Sequence, residues 1–131
     1  MLEPGIRELA QGANYCIVTS VMPDGDVQAL PLWVDCDDAG EHLLINTETG
    51  RQRYRNFSRD ARCTVLILAA DSWIRWGEVR GQVVEMIAGD EARAHIDKLA
   101  EKYTGKPYAN PIGTERVILK VRPKHQIYRG G

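Results

Sequence analysis

The run Thr49-Gly50-Arg51-Gln52-Arg53-Tyr54-Arg55-Asn56-Phe57-Ser58-Arg59-Asp60-Ala61-Arg62-Cys63-Thr64-Val65 decides how the rest of this chain is read. Its first half has helical spacing. Tyr54, Phe57 and Ala61 fall on one face, and Thr49 with Gln52 has the capping-box spacing, which together predict a helix over 49–60. Its second half turns apolar and β-branched and opens a strand, Cys63 to Ala70. The charges are the odd feature. Arg51, Arg53 and Arg55 crowd the start of the helix, where the dipole already repels cations, and Arg51 and Arg55 are like charges one turn apart. Two readings fit. The arginines form a solvated face with Glu48 or Asp60 as partners, or they surround a bound anion. Free backbone N–H groups from Gly50 to Arg53 and planar guanidinium forks suit the second.

Outward from this run the pattern is mostly strand. Tyr15 to Val21 is rich in β-branched and aromatic residues, and Met22-Pro23-Asp24-Gly25-Asp26 is a turn. Val27 to Asp35 reads as the partner strand of a hairpin. Pro31 inside it cannot donate a ladder hydrogen bond, which predicts an edge, a bulge or an open face. After the turn Asp37-Asp38-Ala39-Gly40 comes a third strand, His42 to Thr47. Trp76 to Met86 is a long strand, and Arg116 to Arg122 the last. Helices are expected over Glu3 to Gln11, stopped by Gly12, and over Asp90 to Tyr103. Asp90 can cap the latter, Ala92, Ile96, Leu99 and Tyr103 form its buried stripe, and Gly105 ends it. Lys106 to Thr114 is a loop. Six strands, mostly hairpin-linked, favour an antiparallel barrel or sandwich over a parallel sheet. No Gly-x-Gly-x-x-Gly follows a strand, which disfavours a Rossmann fold.

The 131 residues suit one domain, 1–131, and the net charge of -1 implies no general attraction to nucleic acid or acidic membrane. No apolar run approaches the length of a membrane span. Met1 to Gly12 lacks the basic head and apolar stretch of a signal peptide. Cys16, Cys36 and Cys63 are an odd, widely spaced set, expected to be small buried residues in a reducing compartment. A soluble cytoplasmic protein is the expectation. The residues supply no Gly-x-Ser-x-Gly and no metal-ligand spacing among His42, His95, His125 and the cysteines. His95 is read as a surface residue near Glu91, and His42 and His125 as lacking a chemical partner. Catalytic residues stay unassigned.

The run 49–65 resembles the phosphate-binding helix and following strand of the split-barrel proteins related to pyridoxamine 5′-phosphate oxidase, and among them most closely the branch that uses the deazaflavin coenzyme F420. The resemblance continues through Val21-Met22-Pro23-Asp24-Gly25, Pro31-Leu32-Trp33-Val34-Asp35, Glu78-Val79-Arg80-Gly81-Gln82-Val83 and Lys98-Leu99-Ala100-Glu101-Lys102-Tyr103-Thr104-Gly105, and so covers nearly the whole chain. It implies a mainly β fold, a six-stranded antiparallel split β-barrel of the FMN-binding type with flanking helices. It also implies a homodimer with the coenzyme at the subunit interface. Arg51, Arg53 and Asn56 match the family's coenzyme-phosphate contacts. Arg53 stands where the family often has Lys, and Ala61 where it often has Pro. Pro31, Leu32 and Trp33 match the strand lying along the coenzyme ring, and Trp76 an aromatic brought in by the partner subunit. Asn46, Thr47, Gly50, Gln52 and Arg55 complete the candidate contacts, although the charges of Arg55, Arg59 and Arg62 taken alone read as a solvated face.

The activity implied is hydride transfer between reduced F420 and an activated double bond or quinone-like small molecule. The lack of an acid–base pair is compatible with this, because the coenzyme carries the reactivity while the protein orients it. Two alternatives belong to the same fold: an FMN-binding oxidase of the pyridoxamine 5′-phosphate type, and a non-enzymatic carrier of flavin, deazaflavin or haem.

Overall fold

In β1 (Tyr15–Val21) and β5 (Arg62–Ala69) alternate residues are buried, so one face of each strand looks into the core and the other outward. The structure, a computed structural model, describes all 131 residues. After the helix α1 (Pro4–Gln11) the chain runs through β1, β2 (Val27–Pro31), β3 (Val34–Cys36), β4 (Leu43–Glu48), α2 (Gln52–Arg59), β5, β6 (Ser72–Ala88), α3 (Asp90–Thr104) and β7 (Arg116–Gly130). The strands form one antiparallel sheet in the order β2-β1-β5-β6-β7-β4-β3.

The two edge strands, β2 and β3, are neighbours in sequence, separated only by Leu32 and Trp33. Laid flat, seven strands would hold their edges roughly 29 Å apart at about 4.8 Å per strand. Three extended residue steps span at most about 11 Å. The sheet must therefore curl until its edges nearly meet, and the result is a split barrel whose seam is Leu32-Trp33. Leu32 N–H still donates to Cys16 O at 3.0 Å, continuing toward β1. Val34 then pairs with Ile45 of β4 instead.

Seven strands replace the expected six because the strand read over 27–35 is two strands. Pro31 ends the first on the sheet edge, where a missing N–H costs nothing. The last strand also runs on to Gly130 rather than stopping at Arg122. Pro123 does not end it, because the β6–β7 register shifts there: Arg80 faces His125 and Gly81 faces Pro123, leaving Lys124 as a bulge.

Inside the barrel Val18, Val65, Ile67, Val79, Val121, Leu119 and Ile45 pack together, and Ile6 and Leu9 of α1 join them. Cys16, Cys36 and Cys63 are buried free thiols. Ala92, Ile96 and Leu99 of α3 are buried as the stripe requires, and Gly105 closes the helix at φ 79°. Two expected caps differ. Gly89 is the N-cap of α3, which leaves Asp90 in the first turn, still favourable to the dipole. The capping box of α2 does not form. Its N-cap is Arg51, Thr49 N–H donates to Glu115 O, and the Gln52 amide donates to Asn56 Oδ1.

Candidate functional site

At the seam the barrel leaves a cleft of about 640 Å³, a size that suits a cofactor. Pro31, Leu32 and Trp33 form one side of it, and Ile96, Leu99 and Tyr103 of α3 another. Trp33 stacks on Tyr103, ring centres 5.3 Å apart and planes 6° apart, and meets the edge of Tyr108 at 6.3 Å. The Tyr103 hydroxyl donates to Asn14 O at 2.8 Å and accepts from Val34 N–H at 3.3 Å, so it spans the seam from the approach to β1 to the start of β3. Burial pushes that hydroxyl up to about 12.

Another part of the lining is cationic. Arg51, Arg53 and Arg116 all line the cleft. Arg53 is half-buried and its Nε donates to Thr47 Oγ1 at 2.8 Å. Burial, with Arg51 and Arg116 beside it, lowers its pKa against the pull of Glu48. Arg116 is buried, donates from Nε to Asn46 Oδ1 at 2.8 Å, and lies over the Tyr108 ring at 5.2 Å. Its pKa too is lowered, chiefly by burial. One carboxylate serves this group: Glu48 stands 3.5 Å from Arg116 and 3.8 Å from Arg51. The Thr114 backbone N–H, at 2.8 Å from Glu48 Oε1, is the main influence holding Glu48 below its ordinary value. Three guanidinium groups against one carboxylate leave this end of the cleft with an excess of positive charge. No acidic residue and no capping side chain occupies the first turn of α2.

The sequence-derived candidates divide by position. Pro31, Leu32, Trp33, Asn46, Arg51 and Arg53 come together around the cleft. Thr47 stands behind Arg53 as its hydrogen-bond acceptor. Gly50 lets the loop close on Thr114: its N–H donates to Thr114 Oγ1 at 3.0 Å, and a Cβ there would meet Thr114 Cγ2 at 3.0 Å. Arg55 is exposed and bonds Gly50 O and Gln52 Oε1. Asn56 is wholly buried away from the cleft, donating to Ser20 Oγ at 3.0 Å and tying α2 to β1. Trp76 lies on the outward sheet face, opposite Leu68 and Arg129. Tyr103, Tyr108 and Arg116 were not singled out from sequence as cleft residues. Tyr103 looked like the end of a helical stripe, and Tyr108 and Arg116 sit in and after a patternless loop.

Two histidines differ from their sequence reading. His42 has a partner, Asp37 Oδ2 at 2.7 Å. His95 is buried, not a surface residue, with Nδ1 3.1 Å from Asn46 Nδ2 and Nε2 3.4 Å from Asp35 Oδ2. His95 stands three residues after Ala92 and four before Leu99, on the edge of the same buried face, so the stripe is wider than its apolar residues alone.

The family model for pyridoxamine 5′-phosphate oxidase matches residues 2–129. This chain belongs to that family. Among solved structures, an F420 reductase is 30% identical, superposes with a TM-score of 0.82, and is matched over 96% of this chain and 98% of its own. Two more distant relatives share the fold. A putative pyridoxamine 5′-phosphate oxidase from Listeria innocua has 20% identity, TM-score 0.64 and coverage of 92% and 90%. A pyridoxamine 5′-phosphate oxidase-related, FMN-binding protein from Nostoc punctiforme has 16% identity, TM-score 0.69 and coverage of 95% and 83%. No curated protein matches the chain. The split barrel is thus the fold of this oxidase family, and no helix in it is long and apolar enough to cross a membrane.

Proposed function

We propose that this member of the pyridoxamine 5′-phosphate oxidase family is a cytoplasmic F420-dependent reductase of small activated alkenes or quinone-like acceptors. The observation that carries this reading is the excess of guanidinium over carboxylate at one end of a cleft whose other walls are aromatic and aliphatic. That donor set fits a flat ring with an anionic tail. The 30% identity to an F420 reductase supports the deazaflavin over FMN in this reading.

When bound, such a coenzyme supplies a hydride, two electrons with one proton, to an electrophilic carbon of the acceptor. The residues of this chain do the rest. Arg51, Arg53 and Arg116 hold the acidic tail by charge-assisted hydrogen bonds. Trp33, held flat by Tyr103, gives the ring a wall. No carboxylate or imidazole lines the cleft, and the Tyr103 hydroxyl is already committed to Asn14 O. The second proton of the reduction therefore comes from solvent or from the Tyr15 or Tyr108 hydroxyl of the lining.

The outward face of the sheet supports a homodimer. Tyr15, Ile17, Leu66, Leu68 and Trp76 lie side by side across β1, β5 and β6, and Tyr15 and Ile17 also line the cleft. Tyr15 is 64% exposed here, as are Trp73 at 76% and Ile74 at 51% at the end of the same hairpin. A second copy on this face would cover them and complete the cleft wall.

Absorbance titration of the purified protein with F420 and with FMN, then anaerobic stopped-flow mixing of the reduced complex with enones and quinones, tests the reading. Tight F420 binding and oxidation of the reduced coenzyme by an acceptor are expected. FMN binding in preference, or a tight F420 complex inert to every acceptor, would replace it with an oxidase or a carrier.

A further inference from the structure

A line of four buried polar side chains reaches the cleft from behind α3: Asp35 on β3, His95 on α3, Asn46 on β4 and Arg116 on β7. The last two line the cleft and the first two do not. Their hydrogen-bonding roles are fixed from the ends. Arg116 Nε can only donate, so the Asn46 atom it meets at 2.8 Å is the oxygen. The Ala92 carbonyl can only accept, so the Asn46 atom facing it at 3.0 Å is the nitrogen. The remaining hydrogen of that nitrogen points at His95 Nδ1, 3.1 Å away, which must therefore carry a lone pair. The ring proton is left on Nε2, which lies 3.4 Å from Asp35 Oδ2 without the alignment of a hydrogen bond.

We infer that His95 is a positioning residue, held as the neutral Nε2–H tautomer, which through Asn46 fixes the Arg116 guanidinium in the cleft. This rests on the cleft being the coenzyme site. Burial raises the Asp35 carboxyl, but the His95 ring, the Cys36 N–H, Lys98 and Lys102 outweigh that and hold it at about 2. The anchor behind the ring thus stays ionised across the range in which a histidine titrates. The charged groups around the imidazole are Asp35 from β3, Lys98 on its own helix, 3.3 Å from the same Asp35 oxygen, and Arg116 from β7 through Asn46. Protonation at Nδ1 would set a donor against the Asn46 donor. Turning the amide to relieve that clash would present nitrogen to Arg116 and oxygen to Ala92, and so release the guanidinium.

Long-range proton–nitrogen NMR on the full chain without coenzyme should show His95 as the Nε2–H tautomer and the Arg116 Nε–H protected from exchange. His95→Leu should lose that protection and bind F420 about tenfold more weakly, the scale of one misplaced charged hydrogen bond. His95→Asn, which can return an acceptor to the Nδ1 position, should recover most of the loss. An Nδ1–H tautomer overturns the inference, as does an Arg116 Nε–H equally protected in His95→Leu. If wild-type protein binds neither F420 nor FMN, the coenzyme reading falls. The tautomer and the Arg116 exchange, measured on free protein, then still decide whether His95 positions the guanidinium.

Discussion

Arg53 and Arg62 stand in one arginine-rich run, and the fold treats them oppositely. Arg62 is exposed and lays its fork on Asp60, with contacts of 3.0 and 3.2 Å from Nε and 2.6 Å from Nη2. The Asp60 hydrogen bonds raise its pKa. Arg53 is half-buried, has a hydroxyl instead of a carboxylate as its partner, and is pushed the other way by burial and by two neighbouring guanidinium groups. A paired surface arginine is at rest. A desolvated one among like charges is stable only because other interactions position it, and an anion arriving there relieves both its burial and its repulsion. Charge density along the run therefore says little, while burial without a counter-ion marks the site.

That contrast can be broken at four points. Arg53→Ala has the largest expected effect: F420 binding weakens by about 1.5–3 kcal/mol, the worth of hydrogen bonds to a charged group, measured by isothermal titration calorimetry. The free protein should melt no lower, since a repelled cation is gone. Unchanged affinity would make Arg53 as idle as Arg62.

Glu48→Gln comes next. It removes the one carboxylate among the three guanidinium groups, so anion affinity should rise while the free protein loses about 1 kcal/mol of stability in denaturant unfolding. The folded pKa of Glu48 is depressed. Its contribution is thus complete above the ordinary glutamate value of about 4.3 and is lost as pH falls through the lower folded value. The variant should lack that part of the acid transition. Arg51→Ala should cost less than Arg53→Ala, about 0.5–1 kcal/mol, because its side chain is 59% exposed. That loss should shrink with added salt in the same titration. Arg62→Ala should leave both coenzyme affinity and melting temperature where they were.

Strand alternation, the α3 stripe and the turn at 22–26 were legible because each rests on local periodicity. The break at Leu32-Trp33 was not. Two apolar, strand-prone residues continue the pattern, and only the need to join both edges of the sheet ends it there. Pro123 hid half of β7, since a bulge that absorbs a proline leaves no local sign. Arg51 and Arg53 could be singled out because their charges oppose the helix dipole within one segment. Tyr103, Tyr108 and Arg116 reach the same cleft from segments far along the chain, where nothing local distinguishes them from a helix end, a loop and a strand start. His95 was misplaced for a different reason: it lies at helical spacing from Ala92 and Leu99, on the edge of the buried stripe, and its polarity was taken for exposure.

The Tyr103 hydroxyl, held between Asn14 and Val34, and the neighbouring Lys102 ammonium, held between Ala10 O and Val34 O, act as a stitch where a row of backbone bonds is missing. Loosening the end of α3 undoes that stitch without breaking one rung of the β5–β6 or β6–β7 ladders. The seam can therefore gape at far less cost than unravelling the domain. Amide protons of β3 should then trade with solvent long before those of β5, and any molecule bridging Trp33 and Arg116 would slow that leak as a clasp does.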